Sequence, residues 1–135
     1  MSFMPWSDDF QLGIEIIDFQ HRWLVDATNA LHDELSKEHP DRALIGGILE
    51  GLVDYTMNHF VLEEDLFLRF GYEENTAHKA EHDGFTAKVM QLLLQFEKGE
   101  NVGMDTMELL KSWLQHHILI VDRAYVPFLK AHGVV

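Results

Sequence analysis

In the stretches His59-Phe60-Val61-Leu62-Glu63-Glu64 and His78-Lys79-Ala80-Glu81-His82, side chains of metal-binding type lie four residues apart. Four residues turn an α-helix by about 400°, so His59 and Glu63 lie on one face, as do His78 and His82. Two such pairs on neighbouring helices can direct four ligands at one point. The two stretches therefore predict a helical scaffold built around a metal site.

The chain outside these stretches predicts an all-α protein and contains no strand-like alternation. Asp18 is the expected N-cap of a first helix, and Pro40 suits the first turn of a second helix that Gly71 ends. Asn75 and Asp105 are the expected starts of a third and a fourth helix. We expect an up-down-up-down antiparallel four-helix bundle, because short loops join the helices. It forms a single domain over residues 1–135, with an N-terminal arm at 1–17, helices at about 18–37, 40–70, 75–97 and 105–126, and a short C-terminal helical turn.

The candidate ligands share one end of this bundle. The first and third helices begin at the end where the second and fourth finish, which places seven inward-facing histidines and carboxylates at similar height: His21, His59, Glu63, His78, His82, His117 and Asp122. His116 faces away from the inner stripe and is assigned to the surface or to the layer of residues that surrounds the ligands. That stripe of the fourth helix is predicted as Leu110, Trp113 or Leu114, His117, Val121, Ala124 and Phe128.

The spacing of His117 and Asp122 leaves two possibilities open. Five residues correspond to about 140° around an ideal α-helix, so one site cannot easily receive both side chains. Either a two-metal site is wide enough to accept both, or the helix loosens locally into a π-like turn.

Each ligand pair taken alone is more often structural than metal-binding, since such pairs commonly make surface ion pairs. The combination favours a metal, because buried imidazoles and carboxylates without partners would cost several kcal/mol each. Five imidazoles and two carboxylates exceed a structural zinc site and are too rich in nitrogen for calcium or magnesium. The set suits two octahedral ions, with iron favoured over manganese or zinc.

The composition narrows the possible partners. The 135 residues carry a formal net charge of −13, which argues against binding to nucleic acid or to anionic membranes. Cysteine is absent, so neither a disulfide nor a thiolate metal site can form. There is no signal-peptide pattern and no apolar run of membrane-spanning length, so we expect a cytoplasmic protein without membrane insertion.

The sequence resembles the hemerythrins, in particular their stand-alone bacterial form. The resemblance covers nearly the whole chain and rests on motifs that appear in order: Trp6, Ile17-Asp18-x-Gln20-His21, His59-Phe60-x-x-Glu63-Glu64, His78-x-x-x-His82, and Trp113-Leu114-x-x-His117-Ile118-x-x-x-Asp122-x-x-Tyr125. It implies that His78, His82 and His117 hold one iron, and that His21 and His59 hold the other. Glu63 and Asp122 would bridge the two ions together with an oxo or hydroxo group.

The function implied by the resemblance is reversible binding of dioxygen, without enzymatic activity, for carriage, storage or delivery to an oxygen-consuming enzyme. The iron with two histidines would keep the open position, beside an apolar pocket expected from Leu24, Trp113, Leu114 and Ile118. Three alternatives remain. They are an oxygen or redox sensor acting through a partner, a di-iron enzyme (a peroxidase, an oxidase, or a nitric-oxide or iron-handling protein), and a metal-free or zinc-bound structural bundle.

Overall fold

A computed structural model describes residues 3–99 and 104–134, with only the backbone described at Asn75 and over residues 104–106. This part of the chain is all helical, and the predicted all-α bundle is confirmed. The main helices are α1 (Glu15–Leu35), α2 (Arg42–Phe70), α3 (Asn75–Glu97) and α4 (Met104–His116). The fourth helix continues through a π-helical turn (His117–Asp122) and a 3-10 turn (Arg123–Tyr125) into α5 (Val126–Ala131).

Helix α1 begins at Glu15, three residues before the expected start at Asp18. Gly13 has a left-handed φ of 91°, and the extended Ile14 occupies the N-cap position. Asp18 lies inside the helix, where its carboxylate accepts hydrogen bonds from the backbone N–H groups of Leu12 (2.7 Å) and Gly13 (3.0 Å). The prediction of Asp18 as N-cap is therefore wrong, because its side chain reaches backward to fix the arm instead of closing the helix.

Helix α2 begins at Arg42, so Pro40 precedes the helix instead of lying in its first turn. The N-cap is Asp41, whose carboxylate accepts from the backbone N–H groups of Ala43 (3.0 Å) and Leu44 (3.3 Å). Gly71 ends the helix in the left-handed conformation with φ 75°, as predicted. The predicted cap residues Asn75 and Asp105 lie outside the described side chains.

The predicted inner stripe of the fourth helix is wrong beyond His117. Ala124 is exposed, while Asp122, Tyr125 and Leu129 are buried at 0% exposure. The reason is the π-helical turn, which inserts one residue relative to an α-helix and moves every later inward position by one. Of the two possibilities for the five-residue spacing, the structure shows the π-like turn.

The N-terminal arm packs against the bundle. Met4 is fully buried, and its backbone N–H and C=O form a pair of hydrogen bonds with the Asn29 side chain, at 2.7 and 2.9 Å. Phe10 and Met4 join the large apolar cluster between the helices, while Leu12 and Ile14 join a second cluster that includes Tyr125. The second cluster lies beside the candidate ligands, because its Tyr125 hydroxyl reaches Glu63.

Candidate metal centre

All seven predicted ligands are buried, with exposures of 0 to 3%. Each of the four long helical segments brings at least one of them, because the inward face of each helix carries a histidine near the same end of the bundle. The structure brings the seven side chains together as two groups, whose potential ligand atoms lie within 4.8 Å of one another: Glu63, His78, His82, His117 and Asp122 in one, and His21, His59, Glu63 and Asp122 in the other.

The two groups share their carboxylates. Asp122 lies with Oδ2 2.8 Å from His21 Nε2 and with Oδ1 2.8 Å from His78 Nε2. Glu63 Oε1 lies 3.3 Å from His59 Nε2 and 3.1 Å from His82 Nε2. Each carboxylate therefore stands between a two-histidine group and a three-histidine group, which is the position of a bridging ligand.

The polar atoms at the centre lack ordinary hydrogen-bond partners among the described residues. The Nε2 atoms of His21, His59 and His78 are buried without a hydrogen bond of acceptable geometry, as are both oxygens of Asp122 and Oε1 of Glu63. These atoms are close together, yet they do not point at each other as donors and acceptors do. A buried polar group left in this state costs about 1–3 kcal/mol, so the donor set fits cations placed between the groups.

The protonation of the histidines also suits metal binding. Burial lowers the pKa of His59 to about 4 and that of His82 to about 3, so both imidazoles are neutral near pH 7. Burial raises the pKa of Glu63, with the charge of Asp122 as the next cause. Burial by itself would also raise the pKa of Asp122, but His117, His21 and His78 together outweigh it and hold that pKa well below its ordinary value.

His117 differs from the other histidines. Burial is the largest single influence and lowers its pKa, but the contact with Asp122 and the negative charges of Asp122 and Glu63 together raise it above the ordinary value. In the protein without metal, the neighbouring Asp122 therefore favours a proton on His117, and burial favours a proton on Glu63. Metal ions bound there would oppose both protonations, which is the usual linkage between metal binding and deprotonation of ligands.

Three further residues contact the candidate ligands and fix their orientation. The Tyr125 hydroxyl, fully buried, donates a hydrogen bond to Glu63 Oε2. His59 Nδ1 lies 2.5 Å from Gln20 Oε1, and His82 Nδ1 lies 3.1 Å from Glu64 Oε2. Such partners on the outer nitrogen set the tautomer and direct Nε2 toward a metal.

These partners were missed as functional residues by sequence reasoning. Glu64 faces away from Glu63 on helix α2, which favours contact with solvent or an ion pair over a role at the centre, and its side chain is 22% exposed. Its contact to His82 joins α2 to α3 and depends on how those helices pack. The one available signal is adjacency, since Gln20 precedes His21 and Glu64 follows Glu63.

The four predicted apolar residues differ in their burial and in their contacts. Leu24, Leu114 and Ile118 are buried at 1 to 2% exposure in the large apolar cluster. Trp113 is only partly buried, and its ring stacks on His117 at 4.4 Å between centroids and 13° between planes. Their role beside a dioxygen site stays a prediction. Sequence reasoning did not single out Phe60, whose ring stacks on His82 at 3.7 Å and 4°.

The other histidines lie away from the two groups. His116, His39 and His132 are exposed, and His32 is partly buried with its ring stacked on Phe3 at 4.1 Å. None of the helices over residues 3–99 and 104–134 is both long and apolar enough to cross a membrane.

A four-helix bundle with two buried histidine groups sharing two carboxylates defines a class of helical proteins that hold a dinuclear metal centre. Comparison with known proteins agrees. The family model described as "Hemerythrin HHE cation binding domain" matches residues 12–129. The chain belongs to the hemerythrin family, whose members bind a di-iron centre.

Similar proteins include curated bacterial relatives. The chain is 42% identical over 127 residues to the "Bacteriohemerythrin" of Pseudomonas aeruginosa (strain LESB58), covering 93% of this chain and 81% of that protein. It is 37% identical over 133 residues to the "Bacteriohemerythrin" of Methylococcus capsulatus (strain Bath), covering 97% and 100%. A solved structure titled "Crystal structure of hemerythrin:wild-type" superposes with a TM-score of 0.87 at 36% identity, covering 95% of this chain and 98% of that one.

Proposed function

We propose that the protein binds dioxygen reversibly at a di-iron centre, and that His21, His59, Glu63, His78, His82, His117 and Asp122 are the iron ligands. The observation that carries the proposal is that the two groups contain different numbers of histidines. Two histidines stand on one side of the shared carboxylates and three on the other. If both groups shared Glu63 and Asp122 equally, the two-histidine group would offer an iron one protein ligand fewer than the three-histidine group, and this would leave room for dioxygen.

When bound, two ferrous ions supply the electrons that dioxygen binding requires and recover them on release. The chain's own residues hold and shield the site. Gln20 and Glu64 orient the imidazoles of His59 and His82, and Tyr125 holds Glu63 through its buried hydroxyl. The apolar surroundings formed by Leu24, Leu114, Ile118 and Trp113 would exclude water and so slow irreversible oxidation.

We infer a non-enzymatic role in carriage, storage or delivery to an oxygen-consuming enzyme. Five neutral imidazoles support this role, because a site with fewer carboxylates is less able to stabilise the highly oxidised irons that oxidases use. The similarity to relatives named bacteriohemerythrin supports the same non-enzymatic role.

The test is an optical spectrum of the anaerobic diferrous protein before and after air, and again after removal of oxygen. We expect a visible charge-transfer band that appears with air and disappears under argon. Two bound irons with no reversible band, combined with steady consumption of oxygen and reductant, would instead identify an enzyme. Absence of iron after loading, or zinc in its place, would identify a structural bundle.

A further inference from the structure

The two histidine groups differ in the partner that holds an outer ring nitrogen. In the two-histidine group, His59 Nδ1 meets the neutral amide oxygen of Gln20 at 2.5 Å. In the three-histidine group, His82 Nδ1 meets a carboxylate oxygen of Glu64 at 3.1 Å. A neutral acceptor thus supports one side of the centre and a negatively charged acceptor supports the other.

The carboxylate of Glu64 is directed mainly at His82. The only cation within ion-pair distance among the described residues is Lys79, whose Nζ lies 4.0 Å from Glu64 Oε1. Lys79 is more than half exposed and lies closer to Asp83, at 3.2 Å. An exposed pair of this length interacts weakly. Most of the charge of Glu64 therefore remains available to the imidazole that it contacts.

The contact changes how strongly His82 donates to a metal. A carboxylate that accepts a hydrogen bond from Nδ1–H draws the hydrogen partly away from the ring. Nε2 then becomes a stronger electron donor to a metal. A stronger donor with a nearby negative charge stabilises the ferric ion more than the ferrous ion. The amide of Gln20 orients His59 without adding a charge.

We propose that Glu64 is a positioning residue that, through His82, lowers the reduction potential of the iron in the three-histidine group relative to its neighbour. This inference rests on the proposed di-iron centre. The two irons would then differ in how easily each is oxidised. The iron that has its full set of protein ligands is the easier one to oxidise, and the iron with the open position is the one more readily kept ferrous.

The test is Glu64→Gln, followed by spectroelectrochemical titration of the iron-loaded protein. Glutamine has nearly the same size and keeps a carbonyl oxygen that can accept the Nδ1–H bond, so geometry is retained while the charge is lost. We expect the ferric-to-ferrous ratio of that iron at a fixed applied potential to fall about tenfold. For one electron this corresponds to a rise in potential of about 59 mV.

Asp65→Asn is the matched control, because Asp65 is the next residue, carries the same charge, is 59% exposed and pairs with Arg69 instead of a ligand. We expect its potential to remain close to that of the unmodified protein. The exchangeable Nδ1–H resonance of His82 in the diferrous form reports whether the hydrogen bond persists in Glu64→Gln. A potential in Glu64→Gln that equals that of Asp65→Asn overturns the inference.

Gln20→Glu supplies a second, independent test should Glu64→Gln take up iron poorly. It places a carboxylate on His59, so the potential of the two-histidine iron should fall. The double variant Gln20→Glu/Glu64→Gln keeps the net charge and moves the carboxylate to the other group. ⁵⁷Fe Mössbauer spectra of the half-oxidised samples should then show the ferric site exchanged between the two irons. An unmoved potential in Gln20→Glu, or an unchanged ferric site in the double variant, contradicts the inference.

Failure of the inference is distinguishable from failure of the proposed function. Potentials that follow the carboxylate in a protein without a reversible oxygen band support the inference and reject the function. A reversible oxygen band in a protein whose potentials do not respond to Glu64→Gln supports the function and rejects the inference. An unmodified protein that takes up no iron rejects both.

Discussion

Replacement of Tyr125 by phenylalanine removes one hydroxyl group from the interior of the protein. Tyr125 and Glu63 are both 0% exposed, and the hydroxyl donates its hydrogen bond to Glu63 Oε2. Burial is the largest cause that raises the pKa of Tyr125 well above its ordinary value, so the hydroxyl remains a donor at neutral pH. In Tyr125→Phe the ring still packs against Phe67, at 5.2 Å between centroids. The lost interaction is therefore the hydrogen bond to Glu63, the carboxylate that we propose as a bridging ligand.

The expected cost follows from the charge of the acceptor. Hydrogen bonds to charged groups contribute about 1.5–3 kcal/mol, and no water can replace the donor at a fully buried oxygen. For a chain of this length, 1 kcal/mol corresponds to about 3–4 °C in the unfolding midpoint. We expect Tyr125→Phe to lower the midpoint of the metal-loaded protein by about 5–10 °C. Iron should also be lost more readily, because Glu63 becomes free to rotate.

The assay is unfolding followed by circular dichroism at a fixed concentration of free metal, since bound metal itself shifts the midpoint. Tyr72→Phe is the matched control. Tyr72 is partly buried beside the same cluster, and its hydroxyl makes no side-chain hydrogen bond within residues 3–99 and 104–134. Its replacement should change the midpoint by less than about 2 °C. Equal midpoints for the two variants would refute the reasoning that the Tyr125 hydroxyl supports the bridge.

Three further outcomes are expected. His117→Ala and His78→Ala should each lose iron and destabilise the bundle. Replacement of the adjacent, exposed His116 by alanine is the control and should retain two irons by metal analysis. Two irons in His117→Ala or His78→Ala would contradict the ligand assignment. Metal uptake near pH 7 should release protons, because the pKa of Glu63 is raised by burial and that of His117 by Asp122. The apparent affinity for metal should therefore fall as pH falls through these raised pKa values, whereas His59, with its pKa lowered to about 4, is already neutral. Anaerobic titration with ferrous iron and an indicator dye measures the released protons. Metal uptake without proton release would contradict the prediction.

Much of the candidate site could be predicted from the sequence, because its ligand pairs lie within single helices. The spacing of His59 with Glu63, and of His78 with His82, places each pair on one face whatever the rest of the chain does. The inward assignment of His117 over His116 follows from the same periodicity, and the structure buries the first and exposes the second.

Beyond His117, the inward positions predicted from ideal helical periodicity were wrong. Prediction of Ala124 as an inward residue assumed 100° for every residue, and a single π-helical turn moves that face to Tyr125. The start of α1 was missed for a related reason. A carboxylate near a helix start can cap the helix or bind the preceding segment, and Asp18 binds the backbone of Leu12 and Gly13.

By itself, the sequence determined the helical periodicity, the types of the candidate ligands and their height in the bundle, since each depends on spacing along one helix. Only the three-dimensional structure decided that a π-helical turn brings Asp122 inward with His117, that Tyr125 supports Glu63, and that a charged group meets His82 while a neutral one meets His59. These contacts join residues of different helices, or depend on one local change of helical pitch. Their geometry is therefore set by packing between helices, which the order of residues along any one helix does not encode.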